Sequence, residues 1–389
     1  MALTASTVGP YFATGSISFS QLRDNFKETS SGEVKASELL RVTDVTNTAP
    51  IVPDATENSS IATSSNLKTS QFRNSIKYYN LNQGSGDTDL NLNIAASSLW
   101  NGNLGKTIVK TVTLAGTTGS STANTPAASL DASAVYNTLL IITGTIHGDG
   151  GAPGIENGAS STAAGDGGHA LYIDTNSTGT VTVRTSGAGA EVFGGGGGGG
   201  AGGDGGTGGV GRESYDVYDY WSNTGCVGNT NCTGSSNFNS PHPCNHYEEC
   251  QNWRPCGDGS DNLLNRICIQ KRSENRYHSG GSGGDAADGG SGRGYLQSRN
   301  FGINGNNGAG GNGPGAGSGG NGGKSGNGGD WGEPGEDGIS GNNGTNGNHT
   351  NGTAGRAGTI GGAAGRAVAG SGYVIDTANG VNSAYKGAK

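Results

Sequence analysis

The hydrophobic pattern begins with a short word that is written twice. SQLRDNFK, residues 20–27, places Leu22 and Phe26 four apart on one helical face with Arg23 and Lys27 beside them. SQFRNSIK, residues 70–77, repeats the arrangement with Phe72 and Ile76, and with Arg73 and Lys77. GEVKASELLR, residues 32–41, is a looser echo of GSISFSQLR, residues 15–23. The pattern predicts short helices, the first opened by a capping box over Ser18-Phe19-Ser20-Gln21 and ended before Gly32. Such helices are too short to persist alone, so Leu22, Phe26, Phe72 and Ile76 are expected to pack against another copy, another chain or a larger assembly.

Residues 44–66 are rich in Pro, Ser and Thr and read as an extended connector. Beyond the second word the apolar period changes to two. DLNLNIA (89–95), KTIVKTVTL (106–114), YNTLLIITGTI (136–146), HALYI (169–173) and GTVTVRT (179–185) read as strands, so residues 89–193 are expected to be all β.

Glycine then takes over, at 79 of 389 residues, while only 31% of the chain is apolar. That is too little for one large conventional core. The bland reading of AEVFGGGGGGGAGGDGGTGGVG, residues 190–211, is a flexible linker. Downstream, however, glycine recurs every third position from Gly332 to Gly347, and after a miss at Thr350 it returns in shifted register at Gly352, Gly355, Gly358 and Gly361. Three residues per turn is the polyproline-II period, which leaves one edge of each helix as bare backbone. Collagen needs abundant proline, and this chain has 10. Short runs joined by turns, cross-linked by backbone hydrogen bonds, fit the interruptions better than a rod. Ordering so much glycine is entropically expensive, so such a bundle has to be extensive and cooperative.

Taken in order, GSISFSQLRDNFKETSSGEVKASELLR, SQFRNSIKYY, SSLWNGNLGKTIVKTVTLAG, LLIITGTIHGDGGAPG, GGHALYI, EVFGGGGGGGAGG and the closing GTIGGAAGRAVAGSGYVI resemble the glycine-rich tail-fibre and virion structural proteins of tailed phages, especially those of marine cyanobacteria. The resemblance covers residues 15–211 and 280–375. It implies an N-terminal module attached to the virion, a β-rich shaft, and a layered polyglycine-II domain like that of certain phage tail-tip adhesins. It also implies assembly in the host cytoplasm with release by lysis, which accounts for an N-terminus without a secretory signal. The expected fold class is therefore mostly irregular and β, with short N-terminal helices. The expected divisions are attachment segments at 1–43 and 67–110 around the linker 44–66, a β-rich domain at 111–193, a glycine tract at 194–211, a cysteine-rich insert at 212–278, the glycine-triplet domain at 279–375 and a tail at 376–389.

The resemblance stops at the insert, which holds all six cysteines, Cys226, Cys232, Cys244, Cys250, Cys256 and Cys268. Three disulfides would let so small a unit keep a shape. His242-Pro243-Cys244-Asn245-His246 raises a metal site, but structural zinc favours more closely spaced cysteine pairs than this insert has. Free thiols would fit a protein that stays in the cytosol. The insert also concentrates aromatics. Tyr218, Tyr220, Trp221, Tyr247, Trp253 and Arg254 are candidate contacts for a host-surface glycan or outer-membrane component, because stiff amphipathic side chains favour recognition. The same rings could equally form the insert's own small core.

Other chemistry is poorly supported. A net charge of −8 argues against nucleic acid as a partner. The longest strongly apolar run, LLII at 139–142, is far too short for a membrane span. GAGSGG (315–320) fits a dinucleotide fingerprint only as a string, and NGGKS (321–325) lacks the P-loop's first glycine because position 318 is Ser. No catalytic constellation, cofactor site or metal site can be named. Two readings remain: a tail fibre or adhesin subunit that recognises the host surface, or a purely structural decoration or filament protein.

Overall fold

The computed structural model describes residues 3–8, 16–26, 35–41, 52–64, 66–176, 181–222, 254–256, 263–265, 267–378, 380 and 382–389. The protein is mostly β. Strand β1 (Leu3–Val8) lies antiparallel on β2 (Tyr78–Gln83), and from β2 onward the chain winds as a coil with three flat sides. The first turn of the coil is β2, β3 (Thr88–Leu90) and β4 (Leu92–Asn93). The second is β5 (Val109–Leu114), β6 (Thr117–Gly119) and β7 (Ala128–Ala132), and the third β8 (Thr138–Ile142), β9 (Thr145–His147) and β10 (Leu171–Thr175). A fourth begins with β11 (Val181–Thr185) and β12 (Glu191–Phe193). The chain then leaves the coil, forming β13 (Gly211–Ser222), β14 (Arg254–Cys256), β15 (Leu263–Asn265) and β16 (Ile267–His278) on the way. It returns at β17 (Val368–Ser371) and closes with β18 (Tyr373–Ile375) and β19 (Tyr385–Lys386).

Each side of the coil is a sheet whose strands run parallel, apart from β1 at the edge of the first. One has the order β1-β2-β5-β8-β11-β18, the second β19-β12-β9-β6-β3, and the third β17-β10-β7-β4. Alternation decides what points inward. Leu81, Val112, Leu140, Val183 and Ile375 stand in register as one column, and Leu92, Ala128, Leu171 and Val368 as another. These residues belong to a single apolar core with Trp100, whose indole N–H donates to the Ile94 carbonyl at 2.7 Å. Glycine is required where the first side bends into the second: a Cβ at Gly116 would lie 2.4 Å from the Asp87 carbonyl oxygen, and Gly144 stands against Gly116 in the next turn.

Several expectations need correction. DLNLNIA is not one strand, because Asn91, at φ 51°, bends the chain between β3 and β4 and sends them to different sheets. The β-rich part extends well beyond 111–193: it begins at β2, resumes at β17 after a long excursion, and includes β19 inside the presumed tail. Within the 44–66 connector, residues 52–64 are a run of turns. They bury Val52, Ala55 and Ile61, because the Asn58 carboxamide anchors them to both backbone groups of Ile76, at 2.8 and 2.9 Å.

The repeated word folds differently in its copies. The first is a helix, α1 (Phe19–Phe26), opened by a reciprocal cap in which Ser18 N donates to Gln21 Oε1 at 2.8 Å and Gln21 N to Ser18 Oγ at 3.2 Å. The second is only a 3-10 turn, Thr69–Phe72, which ends where Arg73 turns extended (ψ 131°) and Asn74 follows at φ 59°. All three copies nevertheless share one knuckle. Lys35 N donates to Glu38 Oε2 at 3.0 Å and Lys68 N to Gln71 Oε1 at 2.8 Å, matching Ser18 and Gln21. The residue that follows each acceptor, Leu22, Leu39 or Phe72, is fully buried, and the three meet in one cluster with Ile17, Phe26, Val52 and Ile61. Phe26 meets Phe72 edge to face at 5.8 Å.

Candidate functional site

The excursion between β12 and β17 determines what the molecule can present. Residues 194–211 run out from the coil with neither helix nor strand assignment before Gly211, and they are the axis of a hydrogen-bonded bundle. Gly197, Gly200, Gly203, Gly206 and Gly209 donate to the carbonyls of Glu333, Glu336, Ile339, Asn342 and Thr345. Gly196, Gly199, Gly202, Gly205 and Gly208 donate to those of Arg293, Gly290, Ala287, Gly284 and Gly281. In return the axis accepts from Gly317, Gly320, Gly323, Gly326 and Gly329 on one run, and from Thr353, Arg356, Thr359, Gly362 and Gly365 on another. Residues 148–154 and 165–168 complete the ring, and each of these surrounding runs is bonded to the next. The run 300–312 lies outside, bonded to 279–291 and 319–328.

Bonds recur every third residue with the runs both parallel and antiparallel. Glycine at the contacts is obligatory, since a Cβ on Gly338 would lie 1.8 Å from the Ala201 carbonyl oxygen. Several backbone donors, on the outer runs and on the axis itself, use side-chain acceptors. Asn343 Oδ1 accepts from Gly355 N at 3.0 Å, Asp337 Oδ1 from Gly361 N at 2.8 Å and Thr359 Oγ1 from Ala201 N at 2.7 Å. The bundle thus includes 148–154, 165–168 and 194–211, rather than leaving them to the β-rich domain and a separate glycine tract.

At its base the bundle is clamped to the second sheet of the coil. His147 and Phe193 stack at 5.3 Å, Trp331 closes on His147 at 4.7 Å, and Arg293 and Lys386 sit over Trp331 and Phe193. Burial pulls the His147 pKa below the ordinary imidazole value despite its 2.9 Å contact with Glu191, and Arg293 and Lys386 act in the same direction as burial. His169, beneath the returning chain, accepts from Arg366 N at 3.1 Å and is likewise lowered, first by burial and then by the Arg366 charge. Nothing in the sequence signals this clamp, whose members lie up to 239 positions apart (147 to 386).

At the opposite end the axis runs directly into β13, which pairs antiparallel with β16 as a stalk. The stalk is tied to the bundle's tip by Asn348, whose side chain accepts from Arg212 N at 2.6 Å and donates to Arg212 O at 2.9 Å. Tyr277 meets His349 at 4.8 Å, and His278 meets Glu213 at 3.2 Å. The only hint of this contact in the sequence was the slip in the glycine triplet at Thr350.

The candidate residues of the insert are placed only in part. Tyr218, Tyr220 and Trp221 lie on β13 opposite Lys271, Ile269 and Cys268 of β16; Arg254 and Cys256 lie on β14, which pairs with β15. Cys226, Cys232, Cys244, Cys250, Tyr247 and Trp253 lie outside the described residues, as does the 242–246 motif. Among the described residues no group of three His, Cys, Asp or Glu side chains is arranged to hold a metal, and no helix is long and apolar enough to cross a membrane. The packing residues Leu22, Phe26 and Phe72 are buried in the N-terminal cluster, whereas Ile76 belongs to the core of the coil.

Residues 78–261, a little under half of the chain, match the family model for the phage tail fibre adhesin Gp38. That match supports a phage tail-fibre protein with an adhesin role. No curated protein and no solved structure matches the chain.

Proposed function

We propose that the chain is a non-enzymatic adhesin of a phage tail fibre: it joins the virion through its N-terminal 110 residues and carries the insert 212–278 to the host surface on a polyglycine-II-type scaffold. The observation that carries this reading is the continuous path of residues 194–211, which leave the coil at one end and enter the stalk of the insert at the other. The three-residue repeat of the backbone bonds supports the polyglycine-II reading. At polyproline-II rise, the axis would hold the stalk roughly 50 Å from the coil. The adhesin match over 78–261 reaches across coil, axis and part of the insert. In this reading the six cysteines pair as disulfides once the particle is outside the cell. Tyr218, Tyr220, Trp221, Tyr247, Trp253 and Arg254 then face a glycan or outer-membrane component, while the N-terminal knuckles contact other virion proteins or further copies of the chain.

The test is to replace residues 214–277 by a short Gly-Ser bridge. Particles carrying this variant should assemble with normal copy number and lose host adsorption. Unchanged adsorption would move recognition away from the insert.

A further inference from the structure

The bundle is rich in Asn-Gly, the dipeptide most prone to spontaneous deamidation. In that reaction the glycine nitrogen attacks the asparagine Cγ, the N–Cγ bond forms, and ammonia leaves with the amide proton. Water then opens the cyclic imide at either carbonyl, giving aspartate or isoaspartate. The attack needs a free glycine nitrogen and a carboxamide able to swing onto it.

In four pairs the fold engages both groups elsewhere. Gly322 N donates to Asn306 O at 2.9 Å while Asn321 Oδ1 accepts from Gly308 N at 3.0 Å. Gly328 N donates to Asn300 O at 3.0 Å while Asn327 is held from two sides: its Oδ1 accepts from Gly302 N at 2.9 Å and its Nδ2 donates to Glu336 Oε2 at 2.7 Å. Gly344 N donates to Thr353 O at 3.0 Å and Asn343 Oδ1 accepts from Gly355 N at 3.0 Å. Gly347 N donates to Thr350 O at 2.9 Å and Asn346 Oδ1 accepts from Gly352 N at 3.0 Å. In two further pairs, Asn307-Gly308 and Asn351-Gly352, the glycine nitrogen donates to a neighbouring run's asparagine. Asn157-Gly158 differs: Asn157 is exposed on a turn at the bundle's flank, with Gly158 at φ 54°.

We infer that the bundle protects these six Asn-Gly pairs chemically, the cross-run bonds that build it also blocking imide formation, and that Asn157 is the most readily modified of the seven. The consequences of failure differ by product. Aspartate keeps the acceptor role, as Asp337 already does toward Gly361. Isoaspartate adds a backbone carbon and breaks the three-residue register. An unfolded chain would therefore accumulate lesions that bar it from refolding into the bundle.

The experiment incubates the intact chain at mildly alkaline pH and body temperature, native in one arm and unfolded in urea in the other, with peptide mass mapping of each pair over time. Asn321, Asn327, Asn343 and Asn346 should react at least ~100-fold more slowly in the native arm, because reaction must await local opening. Asn307 and Asn351 should be intermediate, and Asn157 should react at nearly its unfolded rate. Native rates at the four doubly held pairs equal to that of Asn157 would overturn the inference, as would Asn157 being equally slow. Asn346→Ala removes the acceptor of Gly352 N and should speed Asn351 at least ~10-fold while Asn321 and Asn327 stay slow; no change at Asn351 would again overturn it. If Asn321 and Asn327 also accelerate, the variant has opened the bundle, and the native-against-urea comparison of the unsubstituted chain decides.

Discussion

Replacing Gly338 tests whether the glycine bundle is a packed solid or a loose tangle. Ordinary contacts of a Cβ lie at 3.4–4 Å, but a Cβ at Gly338 would lie 1.8 Å from Ala201 O and 2.4 Å from Ala201 C. The two runs must therefore part by more than 1 Å, which no side-chain rotation can supply because the opposing atoms are backbone. Parting them strains the bonds that join these two runs on either side of the contact, from Gly200 N to Glu336 O and from Gly203 N to Ile339 O, at 2.8 and 3.0 Å. Overpacking of this kind costs ~1–3 kcal/mol, and two weakened backbone bonds add ~1 kcal/mol each. The expected loss is thus about 3–5 kcal/mol for Gly338→Val. Gly338→Ala should cost nearly as much, because the Cβ itself makes the clash. Gly310, with nothing within 4 Å of its would-be Cβ, should accept either residue within about 0.5 kcal/mol. Amide exchange followed by mass spectrometry reads the change locally, and protection should fall across 197–209, 335–347 and 350–362 while the coil keeps its own. Equal effects at Gly338 and Gly310, or an unchanged exchange pattern, would refute the packing argument.

Three further outcomes follow from the packing. Phe72→Ala should destabilise the N-terminal cluster by ~3–5 kcal/mol, and Gln21→Ala, which removes one cap, by ~1 kcal/mol, each read from exchange of residues 16–26. Lys110 is buried in the coil with its ammonium on the carbonyls of Lys106 and Ile108, at 2.5 and 3.0 Å, and burial lowers its pKa to about 7. Its native pKa lies below its unfolded one, so its contribution is fully present above the unfolded value and is lost as pH falls toward 7. Lys110→Met should remove most of that slope, and a pH-dependent urea titration that keeps the slope would contradict it. For His147 and His169 the native pKa values are likewise depressed, so the clamp at the bundle's base should be intact above the ordinary imidazole value and loosen as pH falls below it. Exchange at 329–333 should report this, and His147→Phe should blunt it.

Local patterns were legible where local forces decide. The strands around 109–114, 138–142, 171–175 and 181–185 were visible because every second residue packs inward, and the cap at Ser18 because its partner is three residues away. The triplet period of 332–347 also pointed to a cross-linked bundle. The sideways stacking of strands into a three-sided coil was not legible, since it joins residues such as Val183 and Ile375 across the whole excursion. Nor was the role of residues 194–211 as an axis, because a run this rich in glycine reads alike whether it is a linker or the most enclosed element of the bundle. The second copy of the word failed as a helix through Asn74 and through Asn58, a residue outside the word itself.

The corner between the second and third sides of the coil has a different length at every turn: Asn91 alone, then residues 120–127, then 148–170, then 194–367. In each case the strands on either side remain in register with the turn below, so the corner works as a socket whose two rims are fixed by the coil. Chain-closure entropy rises only with the logarithm of loop length, so enlarging such a loop from the second turn's length to the fourth's adds only about 3 kcal/mol before any internal bonding. A lineage can therefore exchange, lengthen or shorten whole heads at that socket without re-engineering the handle, and variation among related chains should collect between Phe193 and Val368 while the rims stay constant.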